Sequence, residues 1–118
     1  MQDTQKNLYK KLLGRQGELK AKKHLKKLGY KIIGVNLKDK FAEVDILAYK
    51  NSTYYFCEVK TRTNTRYGTP AMAVDYKKQQ KYKNFASHYI QVNNLQDGVS
   101  FMVIEILDNE INIIENAF

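Results

Sequence analysis

The sequence predicts a mixed α/β domain of order α-β-β-β-α-β-β, with its helices packed on a central mixed sheet. Three observations predict it. Apolar residues recur at helical spacing near the N-terminus and again in the stretch ending near Ile90. Between and beyond these lie five runs of strand length, rich in Val, Ile, Tyr and Phe. The chain has 118 residues, enough for one self-sufficient core, and no repeat or Pro- or Ser-rich linker divides it. Residues 1–118 therefore read as one domain.

Residues 4–28 form the first helix, with Leu8, Leu12, Leu25 and Leu28 set among lysines and Gly29 as the C-terminal cap. Tyr30 to Val35 is a short strand, followed by a polar turn from Asn36 to Lys40. Glu43 to Lys50 alternates about Val44, Ile46 and Ala48, and Thr53 to Lys60 is rich in Tyr, Phe and Val. Asn51-Ser52 joins these two runs as a hairpin. The polar loop TRTNTRYGT leads to a second helix, capped by Asp75 and closed by Asn93-Asn94. Val99 to Leu107 and Ile111 to Ile114 are the last strands, with a turn at Asp108-Asn109.

Composition excludes several classes. An apolar fraction of 43%, with nine Tyr and five Phe, is incompatible with a disordered chain. No apolar run is long enough to span a membrane, and the N-terminal residues lack the apolar core of a secretion signal. A single cysteine, Cys57, allows neither an internal disulfide nor a zinc site. A cytoplasmic location is the expectation, with no membrane partner.

Charge is more informative. The net charge is +8 and the isoelectric point is near 9.5. Residues 1–31 hold ten basic and two acidic side chains, and residues 61–91 hold six and one. Residues 92–118 carry five acids and no Lys or Arg. Two basic stretches of this kind suit a polyanion; a solubilising excess on solvated helix faces is the plainer alternative.

The hairpin sharpens the reading. With Asn51 and Ser52 as its turn, Asp45 falls opposite Glu58 and Glu43 opposite Lys60, and alternation places Asp45, Glu58 and Lys60 on one face. Carboxylates about 5 Å apart repel by roughly 3 kcal/mol at an effective dielectric near 20. A raised pKa or a bound divalent cation relieves that repulsion. Oxygen ligands favour Mg²⁺ or Mn²⁺, and Lys60 adds an ammonium beside the pair. Such a trio suits phosphodiester hydrolysis. An exposed sheet edge with solvated carboxylates is the alternative, and Glu43 is expected to pair with Lys60.

Glu18 is the next candidate: it shares a helical stripe with Ala21, Leu25 and Leu28, and flanking Gly14 and Gly17 permit close approach of helix to sheet. It is either a rim glutamate paired with Lys22 or a third acid projecting to the sheet. Lys78 and Gln79 of the second helix are candidates for phosphate or water contacts, a buried hydrogen-bonded glutamine being the plainer role. Arg15, Arg62 and Arg66 are the candidate phosphate clamps, and Tyr67 is placed to stack on an unpaired base.

These residues carry a resemblance. Gly14-Arg15-Gln16-Gly17-Glu18, Ala21, Leu25, Gly29-Tyr30, Asn36, the run Glu43 to Ala48, Phe56-Cys57-Glu58-Val59-Lys60-Thr61-Arg62, Tyr67-Gly68-Thr69-Pro70, Ala73-Val74 and Lys78 fall in order. The set resembles the YraN family, small bacterial proteins grouped with the restriction-endonuclease-like PD-(D/E)XK superfamily near archaeal-type Holliday junction resolvases. The resemblance covers roughly residues 12–90. It implies a restriction-endonuclease-like core, with Asp45 and Glu58 as metal carboxylates, the Val59 carbonyl as a further ligand, Lys60 as the motif lysine and Glu18 as the acid of the first helix. Ala42 stands where the family usually has glycine. The QxxxY motif of the exonuclease-type branch is missing at Gln79 and Gln80, which argues against a processive exonuclease. The expectation is a Mg²⁺-dependent (or Mn²⁺-dependent) endonuclease acting on DNA rather than RNA, branched or structured DNA included. A homodimer is expected of a resolvase that cuts two strands symmetrically. The rivals are a non-catalytic nucleic-acid-binding module with the same fold and a basic scaffold for an acidic protein.

Overall fold

A computed structural model describes residues 2–62 and 74–118. The element order is α1 (Gln2–Lys27), β1 (Lys31–Lys38), β2 (Glu43–Lys50), β3 (Thr53–Arg62), α2 (Tyr76–Val92), β4 (Gly98–Leu107) and β5 (Glu110–Ile114). One five-stranded sheet runs in the order β1-β2-β3-β4-β5. It is mixed, because β3 and β4 are parallel and the other three pairs are antiparallel. The crossover containing α2 is what a parallel pair requires.

Local chemistry sets each boundary. Gly29, at φ 92°, ends α1 in a Schellman turn: its N–H donates to the Lys26 carbonyl and that of Tyr30 to the Leu25 carbonyl. Asn51 and Ser52 both have positive φ, 51° and 58°, the backbone of a tight primed hairpin turn. Asp108 and Asn109 repeat it between β4 and β5. Asp75 caps α2 by accepting the Lys78 N–H at 2.8 Å, and Asn93 closes the helix.

Strand β1 is longer than the sequence suggests. Asn36 adopts φ 50°, but pairing resumes beyond it at Leu37 and Lys38. The turn itself forms at Asp39, whose Oδ1 accepts the N–H groups of Phe41 (2.6 Å) and Ala42 (3.1 Å).

Two cores flank the sheet. On one side Ala21 and Leu25 of α1 pack with Ile46, Ala48, Cys57, Met102 and Ile104. On the other, Tyr82, Phe85 and Ala86 of α2 pack with Val44, Leu47 and Phe56. The first helix corrects the sequence reading: Leu8, Leu12 and Leu28 are exposed, and among the described side chains of the helix the buried positions are Gly17, Ala21 and Leu25. Helical periodicity marks a stripe but not how far along it the sheet reaches. Among the described residues, no helix is long and apolar enough to cross a membrane.

Candidate active site

The hairpin register is the one the turn dictates: Lys50 pairs with Thr53, and the ladder proceeds through Leu47–Phe56 to Ile46–Cys57. There it ends. β2 continues beside β1 as far as Glu43–Lys38, while β3 continues beside β4 as far as Arg62–Leu107. The central strands thus part into a fork, and Asp45 and Glu58 are the first residues past the last pair. Asp45 Oδ2 accepts the Val59 N–H at 2.8 Å, so the aspartate occupies the gap where the ladder would continue.

Glu58 is only 3% exposed and is held by three donors. Lys78 Nζ bonds Oε1, Lys60 Nζ lies 3.3 Å from the same oxygen, and the Tyr82 hydroxyl donates to Oε2 at 2.5 Å. Lys78 and Tyr82 stand one turn apart on α2, and the Asp75 cap fixes the turn that carries Lys78. Tyr82 is fully buried and carries the Phe118 ring against its own at 5.8 Å. Burial and the neighbouring Glu58 push its hydroxyl well above the usual tyrosine range, so it remains a donor.

The two carboxylates separate electrostatically. Burial pushes Glu58 up, but the Lys78 and Tyr82 hydrogen bonds and the nearby lysines outweigh it, and its pKa falls below the ordinary value. Asp45 is pushed up to about 7, by burial first and by Glu58 second, against the relief of the Val59 N–H. Glu18 is raised by burial and by the charges of Glu43 and Glu58, against a side-chain hydrogen bond from Asn36. Four carboxylates thus share one field, and even with two lysines in place the fork is short of positive charge.

Glu18 reaches this field because α1 descends onto β3 at Gly17. A Cβ there would lie 2.1 Å from Thr61 Oγ1. Gly14, by contrast, has nothing within 4 Å and permits no close approach. Glu18 bonds Asn36 and not Lys22, the partner in one of the two alternatives for it, and Lys60 turns to Glu58, not to Glu43.

The remaining candidates divide. Arg15 is exposed beside Glu18. The Arg62 side chain is 11% exposed and its Nε lies 3.6 Å from Glu105, so it braces β3 against β4. Gln79 donates to the Val74 carbonyl at 3.0 Å, a brace at the start of α2. Arg66 and Tyr67 lie outside the described residues. Sequence reasoning missed Tyr82, Asn36, Lys77 and Lys81. Lys77 and Lys81 line, with Asp45 and Glu58, a cleft of about 490 Å³. The signal for Tyr82 was its position four residues after Lys78 on the apolar stripe.

Among the described residues, no group of three or more His, Cys, Asp and Glu side chains could hold a metal by itself. Mg²⁺ asks less, since one or two carboxylates suffice when water and phosphate complete its shell. Asp45 and Glu58, with the Val59 peptide fixed beside them, fit that requirement.

The sequence model described as "Uncharacterised protein family UPF0102" matches residues 17–106, which span every residue of the fork. The chain belongs to that family. UPF0102 is the YraN family that the motifs resemble. A UPF0102 protein of Thermodesulfovibrio yellowstonii is 42% identical over 106 residues, covering 90% of this chain and 95% of its own. Another, from Alkaliphilus metalliredigens, is 41% identical over 112 residues, covering 92% and 98%. A third, from Caldanaerobacter subterraneus, is 40% identical over 121 residues, covering 96% and 99%. UPF0102 relatives therefore match along nearly the whole chain.

Proposed function

We propose that this UPF0102 protein is a Mg²⁺-dependent endonuclease that hydrolyses phosphodiester bonds in DNA, Mn²⁺ serving in place of Mg²⁺. The observation that carries the reading is the fork itself, where two carboxylates with opposed pKa shifts face a cleft lined by Lys77, Lys78 and Lys81, with Lys60 Nζ 3.3 Å from Glu58. Nothing in a structural hairpin benefits from that arrangement, whereas a phosphate delivered to a cation does.

Asp45 and Glu58 would hold the metal, with the Val59 carbonyl as a further ligand. When bound, the metal lowers the pKa of water and offsets phosphate charge. The chain's own groups do the rest. Lys77 and Lys81, both exposed, draw the DNA backbone to the cleft. Lys60 Nζ, on a side chain one-third exposed, faces the incoming phosphate and stabilises negative charge gathering on its oxygens. Glu18, kept near the fork by Gly17 and Asn36, would orient water. In the net reaction a water oxygen bonds to phosphorus and one bridging P–O bond breaks, leaving a phosphomonoester and a hydroxyl.

The test is incubation of the purified protein with linear, nicked, single-stranded and four-way-junction DNA, in Mg²⁺, Mn²⁺ or EDTA. Metal-dependent cutting that vanishes in Asp45→Ala and Lys60→Ala is the expected result. Salt-dependent binding without cutting on any of the four would leave a non-catalytic binding module on the same fold. No binding at low salt would remove both.

A further inference from the structure

The cleft around Asp45, lined by four acids and three lysines, is one of two hollows that meet at the fork. Beyond Glu18, α1 overhangs the edge strand β1, and two adjoining hollows run beneath it. They share Lys22 and Val35, so they form one groove. Its rim is cationic, with Arg15, Lys22 and Lys26 on α1 and Lys31 at the start of β1. Its floor is aliphatic and open to solvent: Leu19 is 59% exposed, Val35 41% and Ile33 37%. Ile33 is presented by a register shift between Ile32 and Gly34, where β1 has one residue more than β2 opposite it.

We propose that this groove binds a single-stranded segment of DNA, with phosphates along Arg15, Lys22 and Lys26 and base faces against Leu19, Ile33 and Val35. The proposal rests on reading the fork as a nucleic-acid site, and it adds the kind of substrate arm that approaches from the α1 side. Three observations support it. Glu18 and Asn36 line the groove and also bond each other beside Asp45, so the groove is continuous with the fork. The charge is uneven across the sheet: the groove edge is basic, whereas β4 and β5 on the other side contain no Lys or Arg. A polyanion is steered to the basic edge.

The third is the pairing of rim with floor. A duplex keeps its base faces stacked inside and can use only the rim. A single strand offers phosphates to the cations and base faces to the apolar floor at once. Arg15 to Lys26 spans about 16 Å of helix, room on the order of four nucleotides, the low end for single-strand sites.

The test uses the full chain in EDTA, so that no cutting is needed. Fluorescence anisotropy follows binding of a labelled oligo-dT and of a hairpin duplex across a salt series. Two double variants are compared with the parent: Lys22→Gln/Lys26→Gln on the rim, and Ile33→Ser/Val35→Ser on the floor, which keeps the charge and alters only solvent-exposed side chains. The rim pair should weaken oligo-dT binding on the order of tenfold and lower its log–log salt slope by about 1.4, at about 0.7 for each lost phosphate contact. The floor pair should weaken oligo-dT severalfold at every salt, with the slope and the duplex affinity unchanged. A floor pair that weakens oligo-dT and duplex by one common factor overturns the proposal, as does a floor pair that leaves oligo-dT binding intact. No oligo-dT binding at low salt overturns it as well. A protein that cuts nothing but shows these shifts keeps the groove and loses the nuclease; one that cuts but shows none keeps the nuclease and loses the groove.

Discussion

Gly17 sets how closely α1 approaches the sheet, and so where Glu18 stands. A Cβ at this position would meet Thr61 Oγ1 at 2.1 Å, Thr61 Cβ at 3.4 Å and Ile106 Cδ1 at 3.5 Å. Only the first contact is prohibitive, and Thr61 is β-branched and stiff. Gly17→Ala should therefore cost roughly 1–3 kcal/mol in overpacking, offset by about 1 kcal/mol of helix propensity. The net is a loss of about 1 kcal/mol, or roughly 4 °C in Tm for a domain of this size. Thr61→Ala removes the offending oxygen and leaves the 3.4 Å contact, which packing tolerates. In that background Gly17→Ala should stabilise by about 1 kcal/mol, a coupling of about 2 kcal/mol between the two positions. Urea and thermal unfolding of the four proteins measure it. Equal effects of Gly17→Ala in both backgrounds would refute the reasoning, because α1 would then be free to stand off the sheet.

Other expectations follow from the same geometry. Asp45 titrates at about 7 in the folded protein and near 3.8 as an ordinary aspartate, so its ionisation opposes folding, and wild-type stability falls as pH rises through that window. Asp45→Asn escapes the loss; discounting for partial exposure, it should exceed wild type by about 2 kcal/mol at pH 8 in EDTA and converge with it near pH 4. A Tm series against pH reads this directly. Tyr82→Phe strips a donor from buried Glu58 and should cost about 2 kcal/mol in urea unfolding; a cost below about 0.5 kcal/mol would mean the two lysines suffice. Asn36→Ala removes the hydrogen bond that lowers the Glu18 pKa and forces a residue with φ 50° to pay the left-handed cost of about 1 kcal/mol. NMR titration should then find Glu18 higher than in wild type.

Much of the site was legible because a two-residue turn fixes register. Once Asn51-Ser52 is the hairpin tip, the register carries Asp45 and Glu58 to the same end of the ladder, and both line one cleft. Val44, however, departs from the expected alternation and packs with Leu47 rather than with Ile46 and Ala48. What spacing could not reveal is where the ladder stops. The fork is a property of four strands together, each outer one holding its inner neighbour. For the same reason the partners of Glu58 were only partly legible: Lys60 stands beside the pair as spacing predicts, but it bonds Glu58 and not Glu43, and Lys78 and Tyr82 arrive from a helix some twenty residues away. Asn36 shows the opposite case. Sequence places it at the start of a polar turn, but the chain gives it a positive φ and a side chain bonded to Glu18 while the strand continues. On α1, lysines and leucines alternate so densely that periodicity alone could not separate Ala21 and Leu25, which are buried, from Leu8, Leu12 and Leu28, which are not.

The central claim is that a divalent cation binds between Asp45 and Glu58, and calorimetric titration of the protein with Mg²⁺ or Mn²⁺ tests it most directly. One site per chain, lost in Asp45→Asn while the variant stays folded, is the predicted result. Undiminished binding in Asp45→Asn, or no binding by the wild type at millimolar cation, would contradict it.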